Sequence, residues 1–152
     1  MQWIGVVFAL RRRIQALLGW RTRGVKVAGF DAAGNVLLVR HRYGDTKAFL
    51  LPGGGVKRHE APLDAAIREF REEIGCDLAD IVSIGTYLAS GEGRRDTVHL
   101  FRARIVGTPV ADGVEIAEAR FFAQDALPPT ASPATRRRID EIAGRRSADG
   151  AW

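Results

Sequence analysis

The chain changes its hydrophobic rhythm several times. Near the N-terminus, Val7, Leu10, Ile14, Leu17 and Leu18 recur close to helical spacing, with Arg11, Arg12 and Arg13 largely on the other side. This predicts a basic amphipathic helix over 3–18, packed on its own domain or on a dimer mate, or lying on a membrane surface, with a poorly ordered extension as the remaining alternative. From residue 24 the runs shorten. "GVKVAGF" and "VLLVRHR" flank the turn-like "DAAGN" and predict a hairpin. "AFLL" predicts a short strand that runs into "PGGG", Pro52 to Gly55, read as a loop. "PLDAAIREFREEIG" returns to the helical period, with Leu63, Ile67, Phe70 and Ile74 as the core-facing stripe. Gly75 stands where a left-handed C-terminal cap belongs. "IVSIGTYLA", "TVHLFRARIV" and "EARFFA" predict further strands. "SPATRRRIDEIAG" predicts a closing helix with Ser132 as N-cap and Pro133 at its first position. From Gly144 onward the chain reads as a frayed tail. The pattern as a whole is one α+β domain over 24–144, with a segment 1–23 before it and a tail 145–152 after it.

Composition narrows the class. The 152 residues suffice for a single hydrophobic core, and 46% hydrophobic with 27% charged residues is ordinary for a globular domain. No apolar run approaches the length of a membrane span. The one cysteine, Cys76, excludes an internal disulfide and a Cys-based zinc site. Arg11, Arg12 and Arg13 follow the apolar stretch, the reverse of a secretory signal, so a cytoplasmic protein is expected.

The net charge of +5 is concentrated at the ends. Residues 1–30 carry five Arg and one Lys without an acid, whereas 31–129 is net acidic. A nucleic-acid binder gathers basic residues on its recognition surface. This distribution points away from DNA and leaves RNA open.

The central helix poses the chemical question. Glu69, Glu72 and Glu73 stand at i, i+3 and i+4, so they are neighbours on one side of it. Like charges so placed destabilise a helix by a few tenths of a kcal/mol per pair. One reading is a solvated acidic face relieved by Arg68 and Arg71, with Arg68 reaching Glu72 at i+4. The other is a divalent-cation site, because a hard cation takes carboxylate oxygens together with substrate phosphates and water. Adjacent carboxylates also raise one another's pKa, which makes Glu72 and Glu73 candidate general bases near neutral pH.

The residues upstream bear on that choice. Gly54 is followed after five residues by Glu60, and after seven more by "REFREEIGC", Arg68 to Cys76. This resembles the Nudix box, G-x5-E-x7-R-E-U-x-E-E-x-G-U, where U is a bulky apolar residue. Gly54, Glu60, Arg68, Glu69, Glu72, Glu73 and Gly75 match, Phe70 fits U, and Cys76 is a mild departure. A looser similarity runs over about residues 24–142, and the N-terminal helix lies outside it.

The resemblance implies an α/β/α sandwich around a mixed β-sheet, here with an extra N-terminal amphipathic helix. It implies hydrolysis of a nucleoside diphosphate linked to another moiety, with Mg²⁺ or Mn²⁺ as cofactor. By position, Glu69, Glu72 and Glu73 would be metal ligands, joined by the carbonyl of Gly53. Glu60 would act through water or behind the ligands, and Arg68 would orient the carboxylates. "PGGG" is not a P-loop, since no Gly-Lys-Ser/Thr follows it.

Substrate choice rests outside the box. The ADP-ribose class carries a proline soon after the box, but the next one here is Pro109. The dinucleoside-polyphosphate class has a tyrosine near where Gly93 and Arg94 stand, and the NADH class a "SQPWPFP"-like run absent here. Arg40, Arg42, Lys57, Arg94 and Arg95 are candidate phosphate contacts, and Tyr43 or Phe49 candidate base-stacking residues. Glu92, Glu115 and Glu118 are candidate bases or extra ligands, with Glu92 in the loop "SGEGRRD". His41, His59 and His99 have no ligand spacing. The expected partner is a small nucleotide, with RNA ends or a non-catalytic nucleotide-binding module as alternatives and a homodimer through the N-terminal helix.

Overall fold

The computed structural model describes residues 23–91 and 94–152. The expected helix over 3–18 and Glu92 lie outside the described residues, and so do the dimer contact and membrane-surface role considered for that helix. Seven strands and two helices follow in order: β1 Arg23–Phe30, β2 Val36–His41, β3 Phe49–Leu50, β4 Gly53–Gly55, α1 Pro62–Ile74, β5 Asp77–Gly91, β6 Arg94–Val106, β7 Ile116–Phe122 and α2 Pro133–Ile142. The strands form one mixed sheet. β1 runs parallel to β6 along its whole length, from Arg23 opposite Thr97 to Phe30 opposite Arg104. On its other side it meets β4 at its start and β2 at its end, both antiparallel. β2 carries β3 and β7, and β5 pairs antiparallel with β6.

Two hydrophobic cores lie on the two faces. One joins Val25, Val27, Leu37 and Val39 to Ala65, Ala66, Phe70 and Ile74 of α1. The other joins Ala28, Val36, Leu38 and Leu100 to Ile139 of α2. The run Val36–Val39 therefore feeds both cores by strict alternation, which is why it reads as uninterrupted apolar sequence. One helix on each face makes the α/β/α sandwich.

The residues explain the helix ends. α1 starts with proline in its first turn and stops at Gly75, φ 71°, whose N–H bonds back to the Arg71 carbonyl. α2 is capped by Ser132, whose side chain accepts the Thr135 N–H.

Three expectations need correction. Leu63 is 42% exposed and does not belong to the core stripe, which runs instead through Ala66, Phe70, Glu73 and Ile74. The "PGGG" stretch is not a free loop, because Gly53–Gly55 pair with Lys26, Val25 and Gly24 as strand β4. The tail is not frayed. The Leu88 N–H donates to the Gly150 carbonyl at 2.9 Å, and the Trp152 N–H to the Leu88 carbonyl at 3.0 Å. The tail closes over Arg138, whose side chain is fully buried. That guanidinium lies 4.2 Å from the Tyr87 ring centroid and 5.4 Å from that of Trp152. It pairs with Glu141 at 2.8 Å and donates to the Ala151 carbonyl. Its Nε has no hydrogen-bond partner among the described residues.

A buried guanidinium that loses its partners is strongly unfavourable. Deleting residues 149–152 is therefore expected to lower the melting temperature by on the order of 5 °C. Thermal unfolding measures it, and an unchanged midpoint would restore the frayed-tail reading.

Candidate active site

α1 packs its buried stripe on β1 and turns its acidic side toward β4. Gly54 permits the contact. A Cβ built on it would lie 2.4 Å from Cδ and Oε2 of Glu69, so any side chain there displaces this carboxylate. Gly53 is constrained more tightly, because its neighbours are backbone atoms. Its φ is 156°, and a Cβ would stand 2.0 Å from the Val25 carbonyl oxygen. The Gly53 N–H donates to Glu73 Oε2 at 3.1 Å, tying the strand to the helix.

Arg68 organises the acids. Its Nε and one terminal nitrogen grip both oxygens of Glu60 at 2.8 and 2.9 Å. Its other terminal nitrogen reaches Glu69 Oε1 at 2.7 Å and Glu72 Oε2 at 3.4 Å. The terminal nitrogen that holds Glu60 also donates to the Gly55 carbonyl at 2.9 Å. Glu60 additionally accepts the Lys57 N–H at 2.9 Å. These bonds, the one from Arg68 foremost, hold the Glu60 carboxyl well below the usual range, at about 2.

The other carboxyls are pushed the opposite way. Burial raises Glu69, although Arg68 opposes this. Glu73 is only 3% exposed. Burial pushes its pKa up to about 8, with the Lys26 charge opposing and the Glu69 and Glu115 charges adding. Glu72 stays on the solvent side, its side chain 57% exposed.

Among the described residues, no three His, Cys, Asp or Glu side chains are grouped tightly enough to hold an ion by themselves. The three glutamates are neighbours along the helix, but their carboxylates diverge to Arg68, to solvent and to Gly53. This donor set still suits Mg²⁺ or Mn²⁺. Mg²⁺ is commonly bound by one or two carboxylates with substrate phosphates and waters rather than by an all-protein cage. The buried Glu73 carboxyl, when ionised, also calls for a cation.

Other sequence candidates separate into near and far. Lys57 lies in the Glu60 turn, exposed, and its carbonyl accepts from Arg23 at 3.3 Å. Glu115 comes within electrostatic reach of Glu73 because the segment before β7 caps α1. There the Val110 N–H bonds to the Ile74 carbonyl and the Asp112 N–H to the Glu73 carbonyl. Asp112 then folds the segment, its Oδ1 accepting the N–H groups of Val114, Glu115 and Ile116. The Arg42 backbone N–H donates to the Glu115 carbonyl at 2.8 Å.

Arg40 is engaged elsewhere, paired with Glu118 at 2.9 Å on the sheet face that carries α2. Phe49 is buried in that core and so is not presented as a base platform, whereas Tyr43 is 52% exposed. Arg94 and Arg95 lie at the start of β6. Sequence reasoning missed Lys26 and Asp112. The Asp-Gly pair at 112 and 113 signalled a turn, but nothing local tied either residue to α1.

The family comparison agrees with this geometry. The NUDIX domain model matches residues 20–142. The chain belongs to the Nudix hydrolase family. Its class of chemistry is that of a pyrophosphohydrolase. A Bacillus subtilis (strain 168) protein named "Putative 8-oxo-dGTP diphosphatase" is 33% identical over 122 residues, covering 80% of this chain and 79% of that protein. A Halorhodospira halophila RNA pyrophosphohydrolase is 44% identical over 62 residues, which is 41% of this chain and 32% of that protein. Among solved Nudix structures, a MutT hydrolase from Burkholderia pseudomallei superposes with a TM-score of 0.72 at 24% identity, covering 81% of this chain and 98% of that one. A MutT protein from Methanosarcina mazei gives 0.67 at 22% identity, over 82% and 94%. These superpositions establish the fold.

The Gly54–Glu69 contact makes a sharp prediction for this Nudix site. Gly54→Ala is expected to reduce turnover by about a hundredfold, the scale of a misplaced catalytic group. Steady-state rates together with the circular dichroism of the folded variant check it. Turnover within a factor of two of wild type would mean that the position of Glu69 is unimportant.

Proposed function

We propose that this chain hydrolyses the pyrophosphate linkage of a nucleoside diphosphate joined to another group, with Mg²⁺ or Mn²⁺ as cofactor and water as nucleophile. The observation that carries the reading is the α1 carboxylate set held against Gly53 and Gly54 by Arg68. Glu69 and Glu73, with the Gly53 carbonyl, would hold the ion, and Glu72 would join them once substrate arrives. Such an ion supplies charge neutralisation at the diphosphate and a more acidic water. Glu72, on the solvent side of the helix, is the residue placed to take a proton from that water, and Glu73 is the second candidate. Glu60 keeps Arg68 in place, and Arg68 keeps Glu69 and Glu72 from diverging further. Lys57 and Glu115 border the site and would meet the substrate's phosphates and its far end. Arg40, Arg42, Glu92 and Arg94 stand as weaker substrate contacts.

The name of the Bacillus subtilis relative directs attention to nucleoside triphosphates, ordinary and oxidised. RNA ends are the second reading, favoured by the Halorhodospira halophila match and by the basic residues of 1–30. A panel tests both: nucleoside triphosphates, 8-oxo-dGTP, ADP-ribose, sugar nucleotides, dinucleoside polyphosphates and 5′-triphosphate RNA, each with Mg²⁺ and with Mn²⁺. Metal-dependent cleavage of a small nucleotide supports the first reading. Cleavage of RNA ends alone, falling steeply with salt, supports the second. No cleavage of any member would leave a nucleotide-binding module.

A further inference from the structure

The short segment Leu51–Gly53 leads from β3 into β4 and carries the backbone N–H that bonds the Glu73 carboxylate. Each of its three residues is held. The Leu51 carbonyl accepts from Lys26 Nζ at 3.0 Å, the Pro52 carbonyl accepts the Val27 N–H at 2.9 Å, and the Gly53 N–H donates to Glu73. Only one of these holds depends on a side chain of the sheet. Lys26 sits between Val25 and Val27, both buried in the α1-side core, and so alternates away from that core. It is also the backbone partner of Gly53 in the β1–β4 ladder. The segment is therefore gripped by an ammonium at Leu51 and by a carboxylate at Gly53, and these two side chains attract each other across it.

We infer that Lys26 is a positioning residue for the hydrolytic reaction: by fastening Leu51–Gly53 to β1, it sets where the Gly53 backbone and the Glu73 carboxylate meet the catalytic ion. It does not touch the reacting atoms. Its kinetic consequence rests on the hydrolase reading above, whereas its consequence for metal binding does not. An aliphatic residue at 26 would leave the β1–β4 ladder intact and release the Leu51 carbonyl. Groups that support metal ligands in this way commonly change metal affinity or activity by about 10- to 100-fold when removed.

The sign of the metal effect isolates the role. Lys26 is a cation near a cation site, so removing its charge alone would tighten metal binding. Losing the fastening would loosen it.

The experiment compares wild type, Lys26→Met and Lys26→Arg. Mn²⁺ binding is read by electron paramagnetic resonance, kcat and KM on whichever nucleotide the panel identifies, and the melting temperature alongside. Lys26→Met is expected to raise the Mn²⁺ dissociation constant and lower kcat, each by about tenfold, with KM for the nucleotide little changed. Lys26→Arg, which keeps a charged donor, is expected to recover most of both. Unchanged or tighter Mn²⁺ binding in a folded Lys26→Met protein overturns the inference, as does a loss explained entirely by a lower melting temperature. Should Lys26→Met fail to fold, Lys26→Gln takes its place, and a raised Mn²⁺ dissociation constant in the folded variant with recovery in Lys26→Arg supports the role while unchanged or tighter binding overturns it. Wild type that cleaves no nucleotide defeats the hydrolase reading alone, since the Mn²⁺ comparison still judges Lys26.

Discussion

Glu73→Gln is expected to abolish nearly all turnover and yet to stabilise the metal-free protein at alkaline pH. The loss of activity follows from its place. Glu73 is the buried carboxylate of the set, it bonds Gly53, and a glutamine cannot supply the negative charge that an ion requires. Several kcal/mol of transition-state stabilisation correspond to about a thousandfold in kcat.

The stability change follows from the raised pKa. An ordinary glutamate titrates near 4.5, and Glu73 in the folded chain near 8, because burial penalises its charge. The folded state therefore binds a proton more tightly than the unfolded state. Stability is fully present below about 4.5 and is lost as pH rises toward 8. At about 1.4 kcal/mol per pKa unit the loss is on the order of a few kcal/mol. Glutamine does not titrate. In EDTA the variant should match wild type near pH 4 and exceed it near pH 8.5, and Mg²⁺ should restore stability to wild type only. Chemical denaturation at the two pH values, with and without Mg²⁺, measures this. Parallel pH profiles for the two proteins would contradict the burial argument.

Arg68→Leu should be the second most damaging change. It strips one cation from Glu60, Glu69 and Glu72 and one donor from the Gly55 carbonyl. No cation then lies between these carboxylates, Glu60 keeps only the Lys57 N–H, and Glu69 and Glu72 are free to relax toward solvent. Turnover is expected to fall by about a hundredfold, as when a supporting residue leaves its ligands disordered. Arg68→Lys should recover little. An ammonium cannot grip both oxygens of Glu60 and reach Glu69 at the same time, whereas the planar guanidinium does so with separate nitrogens. Metal dependence separates this from a direct chemical role. Half-saturation should move to higher Mg²⁺ in Arg68→Leu, and a wild-type metal profile with reduced kcat would argue that Arg68 touches the substrate instead.

The sequence exposed those parts of the molecule whose causes are local. The limits of α1 were readable because a proline start, an apolar period and a left-handed glycine are neighbours in the chain. Ser132 and Pro133 announced α2 for the same reason. The site was readable as a set because five of its residues share one helix and its preceding turn. Side chains assembled by tertiary contact were not.

Leu63 falls on the helical period, yet it is 42% exposed, which the period alone does not reveal. Arg138 lies in a run of three arginines that reads as a solvated face, and only Tyr87, Glu141 and the returning tail make its burial tolerable. Lys26 is a single polar residue within the strand stretch "GVKVAGF". Its link to the site passes through Leu51, which is distant in sequence, and through a strand the glycines gave no sign of forming.

The central claim is that the α1 carboxylates use a divalent ion to cleave a nucleotide pyrophosphate linkage. The most direct measurement is product formation across the nucleotide panel for wild type and Glu73→Gln, with Mg²⁺ titrated from an EDTA-treated baseline. The account predicts cleavage by wild type that is absent in EDTA and saturates with Mg²⁺, and a rate about a thousandfold lower for the folded variant at every Mg²⁺ concentration. Equal rates for the two proteins, or cleavage that persists undiminished in EDTA, would contradict it.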